Sequence, residues 1–239
     1  MERFEVEYQE HSLTFRATAF HDPRIEGPKP AICIFPTWAG RDRFVEDQAK
    51  YLASLGYVGF AADLYGNGQV GNSNEECSKL MHPLVDNRDL LRQRVLAAFG
   101  AMKHLAIVDD SKMGALGFCF GGLCALDLAR TGVAVLGVVS CHGLLLPLAG
   151  TKANIQSKIL VLHGHDDPMV STEDVVSFEK EMTDAHVDWQ VHIFGKTMHA
   201  FTNPKAAEPE KGLKYNAVSS KRGYLIMKLF FEEIFKKAI

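Results

Sequence analysis

Two hydrophobic periodicities alternate along the chain. Residues 4–8 (FEVEY) and 13–20 (LTFRATAF) place apolar side chains at every second position, the mark of strands with one face in a core and one toward solvent. They predict an antiparallel pair. The segments AICIFP (31–36), VGFAADLY (58–65), MGALGFC (113–119), AVLGVVSC (134–141) and KILVLHG (158–164) are instead compact apolar runs, which suit parallel strands buried on both faces. WQVHIFG (189–195) reads as one more strand. Between the strands, helical patterning covers 43–55, 86–105, 120–130, 171–184 and 216–237. This alternation predicts an α/β fold: a mostly parallel central sheet flanked by helices, with an antiparallel strand pair at the N-terminus. Residues 65–84 (YGNGQVGNSNEECSKLMHPL) are rich in Gly and Asn and predict a loop or small cap-like insertion. With no repeat and no low-complexity linker, residues 1–239 read as a single domain.

Composition narrows the function classes. A net charge of −3 with dispersed lysines and arginines offers no basic stripe for nucleic acid, so a small-molecule partner is expected. No run of 18 apolar residues predicts a membrane span, and the first twenty residues lack the apolar core of a signal peptide. The five cysteines are odd in number and irregularly spaced, which speaks against a disulfide framework and for a reducing, cytoplasmic setting. Cys33, Cys124 and Cys141 fall in apolar segments and read as core, whereas Cys77 lies in the 65–84 insertion and is expected to be exposed. The oligomeric state is not legible.

Cys119 is different. It ends the run GALGFC and precedes FGG, so Gly117, Cys119 and Gly121 form the Gly-x-Cys-x-Gly pattern of a nucleophile elbow, with cysteine where serine is more familiar. A sharp strand-to-helix turn needs neighbours without Cβ, and it leaves the sulfur at a helix N-terminus, where partial positive charge favours thiolate. A thiol nucleophile wants a base and the base wants a carboxylate, in the chain order nucleophile, acid, histidine. HDDPMVS follows the strand KILVLHG and offers Asp167, with Asp166 as the alternative; KTMHAF follows WQVHIFG and offers His199. Both loops leave strand ends, where catalytic groups gather in open α/β sheets. His163, His165 and Asp167 also have a His-x-His-x-Asp spacing, but no further ligand cluster supports a metal site there.

These motifs together resemble the dienelactone hydrolase family of the α/β-hydrolase fold: GFCFGG is similar to the family's cysteine elbow, GHDDPMV to its acid loop and MHAF to its histidine loop, with ADLYG a further family-like segment. The resemblance spans nearly the whole chain. It implies a carboxylic ester hydrolase, carboxymethylenebutenolidase-like, in which Cys119 is the nucleophile, His199 the base and Asp167 its orienter, acting on a small ester or lactone through a thioester acyl-enzyme with no cofactor and no metal. FPTWAG (35–40) is similar to the family's oxyanion loop, which implies that the backbone N–H groups of Trp38 and Phe120 hold the oxyanion. The family's acidic residue in that loop is matched here by Thr37, and no arginine among Arg88, Arg92 and Arg94 can be matched to the family's carboxylate-binding positions. Thr37, His82, His142, Met169 and Phe201 adjoin the motifs and are expected to line a substrate pocket. A thioesterase, a broad carboxylesterase and a catalytically silent binding protein use the same fold and remain as alternatives.

Overall fold

The computed structural model of the chain describes residues 1–148 and 154–236, so the last residue of the 216–237 helical segment falls outside them. The chain forms two compact units, Met1–Leu116 and Gly117–Ile239.

In the first unit, β1 (Glu2–Glu10) and β2 (Leu13–His21) pair antiparallel from Glu2 opposite His21 to Glu10 opposite Leu13. This is the pair that the alternating segments predict. β3 (Lys29–Phe35) leads through α1 (Arg43–Ser54) to β4 (Val58–Ala61), which lies parallel to β3 and antiparallel to β2. A parallel return needs a crossover, and α1 supplies it. Asp42 caps α1 through Val45 N–H at 3.2 Å, and Val45, Ala49 and Leu52 give the helix its buried face. β4 is shorter than the apolar run 58–65 because the chain leaves the sheet at Ala62. There the Asp63 carboxylate gathers the backbone N–H groups of Arg16, Tyr65, Gly66 and Gly68 at 2.8–3.0 Å, fixing the turn after ADLYG.

The stretch 65–84 is not a loop throughout. Residues Asn74–Asp86 form α2, started by Ser73, whose hydroxyl accepts Glu76 N–H at 3.2 Å, and by Glu75 and Glu76 in its first turn. A helix carrying Pro83 and burying only Cys77 and Leu84 has little periodic signal. Cys77 is accordingly inside, with its thiol directed to the Gly71 carbonyl at 3.4 Å, not exposed as expected. α3 (Arg88–Lys103), capped by Asn87, and β5 (Val108–Phe118) follow.

The second unit opens with α4 (Phe120–Arg130), all of whose residues are buried. Such a helix must satisfy its own polar groups, and Arg130 does so by bonding Asp127 at 3.1 Å and gripping the Glu181 carboxylate with two N–H groups at 2.8 and 2.6 Å. β6 (Gly137–Cys141), β7 (Lys158–Gly164) and β8 (Trp189–Phe194) run parallel in that order, with α5 (Thr172–Asp184) crossing from β7 to β8. β9 (Ala207–Glu208) and β10 (Leu213–Lys214) form a short antiparallel pair before α6 (Ala217–Phe235). Nothing in the sequence pattern announces strands of two residues. The chain is thus an α/β fold in which β3–β4, β6–β7 and β7–β8 are parallel pairs, while β1–β2, β2–β4 and β9–β10 are antiparallel.

Candidate active site

The second unit brings three of the expected residues together. From Met113 to Arg130, Cys119 is the one residue that is not fully buried. Core filler would not be the exception in such a run. Cys119 stands between β5 and α4 with φ 57° and ψ −120°, a conformation that costs a residue with a Cβ energy and recurs at functional turns. Its N–H is held by the Cys141 carbonyl at 3.1 Å and its carbonyl accepts Gly122 N–H at 2.9 Å. The turn closes only because Gly117 has no side chain: a Cβ there would sit 1.7 Å from the Gly121 carbonyl oxygen.

Asp167 lies on the loop after β7. Its Oδ2 accepts His199 Nδ1–H at 2.7 Å and its Oδ1 accepts Met169 N–H at 2.9 Å, with both side chains of the Asp–His pair almost wholly buried. Asp166 is exposed and contributes its backbone N–H to the Thr197 carbonyl. The carboxylate bonded to His199 is thus that of Asp167. His199 reaches Asp167 because the segment before it runs close along Gly164, where a Cβ would meet the Thr197 carbonyl oxygen at 2.5 Å. After His199 the chain turns through Ala200 at φ 56°, and β10 secures the turn through Lys214 N–H to the His199 carbonyl.

The electrostatics couple these groups. Burial opposes a thiolate at Cys119, but the charge and hydrogen-bonding capacity of His199, together with the Phe120 N–H, outweigh it and draw the thiol below its ordinary range. Burial likewise opposes an imidazolium at His199, yet the Cys119 anion and the Asp167 hydrogen bond prevail and raise it to about 10. His199 Nε2 is buried, and the Cys119 sulfur acts on the imidazole through both charge and hydrogen bonding. Cys33 and Cys141, buried without such a counter-charge, are pushed far upward. The arrangement can hold a thiolate beside a proton donor.

The expected pocket residues separate into different settings. Met169 is 45% exposed beside Asp167, while His142 and Phe201 are buried at 1% and 0%. Those two support the histidine instead of presenting themselves to solvent. The His142 and His199 rings lie 5.1 Å apart edge to face, and Phe201 packs on His142 at 5.2 Å. Burial and the nearby His199 charge hold His142 well below the ordinary imidazole range. His82 is exposed on α2, next to Ser78 at 3.1 Å. In the first unit, Thr37 accepts Ala39 N–H and the Trp38 carbonyl accepts the Tyr65 hydroxyl at 2.8 Å. His163 is buried and His165 exposed, while both Asp167 oxygens are engaged as above.

Two participants and the backbone role of Met169, expected only as a pocket residue, escape the sequence. Met169 acts through its backbone, which carries no residue signature, β10 is too short to show a period, and Thr202, whose hydroxyl lies 2.8 Å from His142 Nε2, looks like any loop threonine.

The chain matches the dienelactone hydrolase family over residues 15–235. A Bradyrhizobium protein described as a probable 2-oxo-3-(5-oxofuran-2-ylidene)propanoate lactonase is 30% identical over 190 residues, 75% of this chain and 76% of its own. Among solved structures, a dienelactone hydrolase-like promiscuous phosphotriesterase from metagenomic libraries superposes with TM-score 0.94 at 36% identity, covering 98% of this chain and 99% of that one. A dienelactone hydrolase from Anabaena variabilis shares the fold alone, with TM-score 0.65 at 18% identity over 95% and 97% of the two chains. No helix among the described residues is long and apolar enough to cross a membrane. With the cysteine elbow, the acid loop and the histidine loop brought to one place, and the family match running through all three, the chain belongs to the dienelactone hydrolase family and is a hydrolase of carboxylic ester bonds.

Proposed function

We propose that the chain cleaves a small ester or lactone through a Cys119–His199–Asp167 triad and a thioester intermediate. The observation that carries the reading is the buried 2.7 Å bond from His199 to Asp167, together with a thiol drawn down beside the same imidazole. The Cys119 thiolate attacks the carbonyl carbon, and the electron pair of the C=O moves onto oxygen. The Phe120 N–H at the start of α4 stabilises that oxyanion; one such donor supplies about 2.7–4 kcal/mol. Collapse breaks the C–O bond, and His199 Nε2–H protonates the departing alkoxide, leaving neutral imidazole and an acyl thioester. His199 then takes a proton from water as the resulting hydroxide attacks the thioester. Breakage of the C–S bond returns the thiolate and imidazolium and releases the acid. Asp167 holds the tautomer that keeps the proton-transfer nitrogen facing the sulfur.

This chemistry has a pH window. Below the depressed Cys119 value the nucleophile is a thiol, and above about 10 His199 has lost the proton that the leaving group needs. Activity rises on the acid side with Cys119 and falls on the alkaline side with His199.

The likeness to a promiscuous phosphotriesterase favours one second reading, in which the same thiolate accepts a phosphotriester. The experiment is a panel of lactones, aryl esters, acyl thioesters and a phosphotriester, with intact mass measured on acid-quenched samples. Turnover of an ester or lactone with an acyl mass on Cys119 is the expected result. A panel without turnover and an unmodified Cys119 would leave a silent binding protein as the better description.

A further inference from the structure

His142 contacts residues around each member of the proposed triad. Its residue follows β6 in a left-handed conformation, φ 38°, that a side chain with a Cβ seldom adopts. Its N–H bonds the Leu162 carbonyl at 2.8 Å, on the strand that leads to Asp167. The preceding residue, Cys141, offers the carbonyl that holds Cys119 N–H. The His142 ring stands 5.9 Å from Phe118, the residue before the cysteine, and 5.1 Å and 5.2 Å from His199 and Phe201. Its Nε2 pairs with the Thr202 hydroxyl at 2.8 Å, both groups being buried. Three of these contacts fall on the single turn 199–202 that carries the base.

We infer that His142 is a positioning residue for the reaction: gripping Thr202 and packing edge to face on His199, it fixes the plane of the catalytic imidazole between Asp167 and Cys119. The inference rests on the triad reading of the preceding section. The site calls for a ring that is flat and apolar on its His199 side yet polar at the end that meets Thr202. Phenylalanine satisfies only the first requirement, and glutamine only the second. The imidazole must also be uncharged, because a second cation 5.1 Å from an imidazolium in a buried site is repelled strongly. Burial and His199 itself keep it so. Groups that orient a reacting residue in this way change rates without touching substrate, since small displacements of a catalytic group are costly.

The test uses His142→Phe, Thr202→Val, the double variant and Thr202→Ser, each with kcat and KM measured on the best ester of the panel and normalised to Cys119 titrated with iodoacetamide. The expected result is a fall in kcat of about tenfold in His142→Phe and in Thr202→Val, with KM within about twofold. The double variant should lose no more than either single change, because both cut one bond. Thr202→Ser, which keeps the hydroxyl, should recover kcat to within about twofold of wild type. In proton NMR, the downfield resonance of His199 Nδ1–H should shift or broaden in the two impaired single variants. Wild-type kcat per titrated thiol with an unmoved resonance in either folded single variant overturns the inference. If one of them fails to fold, the other decides it. Cys119→Ala separates the two levels: activity surviving that change removes the triad reading, whereas its loss beside unimpaired His142→Phe removes only the positioning role.

Discussion

Cys119→Ala is expected to lower ester hydrolysis by about four to six orders of magnitude, down to what binding and the oxyanion donors alone supply. The expectation follows from the local structure. In the proposed triad the sulfur is the reacting atom, at the one partly exposed position of Met113–Arg130, and alanine keeps the Cβ, the φ of 57° and both backbone bonds of the turn. Thermal stability should change by a few degrees at most, because no packed hydrophobic volume is removed. Steady-state hydrolysis of an aryl ester and a thermal melt of the same preparation check both halves. A variant that melts like wild type and still turns over at the wild-type rate is incompatible with a cysteine nucleophile.

The second large effect concerns two adjacent aspartates. Asp167→Asn should cost about 10⁴ in kcat, while Asp166→Asn should stay within about twofold. Asparagine at 167 can still accept Met169 N–H through its carbonyl oxygen, so the loop keeps its shape. The group facing His199 Nδ1 then becomes an amide, which no longer stabilises the imidazolium and can turn an N–H toward the ring, favouring the wrong tautomer. Asp166 is exposed and bonds through its backbone, which the substitution leaves intact. Parallel kinetics on the two variants decide the matter, and equal losses, or a larger loss at 166, would remove Asp167 from the orienting role.

Part of the fold and of the candidate site is legible in the sequence. The order of cysteine, aspartate and histidine at the exits of β5, β7 and β8 is legible because strands such as Lys158–Gly164 are continuous apolar runs with sharp polar ends. α4 was legible to the residue because the small residues around Cys119 mark a turn that tolerates little else. The hairpin of β1 and β2 was legible from strict alternation. What stayed hidden has a common cause, in that the information is not carried by residue type. The Met169 amide that bonds Asp167 is backbone, and the two-residue strands that brace the His199 turn are too short for any period. α2 buries two side chains and contains a proline, so cap and charge, not periodicity, start it. His142 stands out in the sequence for its position beside a strand end, but its burial against His199 is a tertiary fact.

The proposed mechanism requires a thiolate and an imidazolium that coexist in the resting enzyme. The direct measurement is the pH dependence of Cys119 alkylation by iodoacetamide, a neutral reagent that reports the thiolate fraction, in wild type and in His199→Ala. Wild-type alkylation should reach half its plateau clearly below the ordinary thiol value of about 8.5, because the His199 charge and the Phe120 N–H overcome burial. With His199 replaced by alanine, burial acts without a counter-charge, and the midpoint should move above that ordinary value, in the direction taken by buried Cys33 and Cys141. A wild-type midpoint near that of a free thiol, unmoved by His199→Ala, would contradict the ion pair and with it the mechanism built on Cys119 and His199.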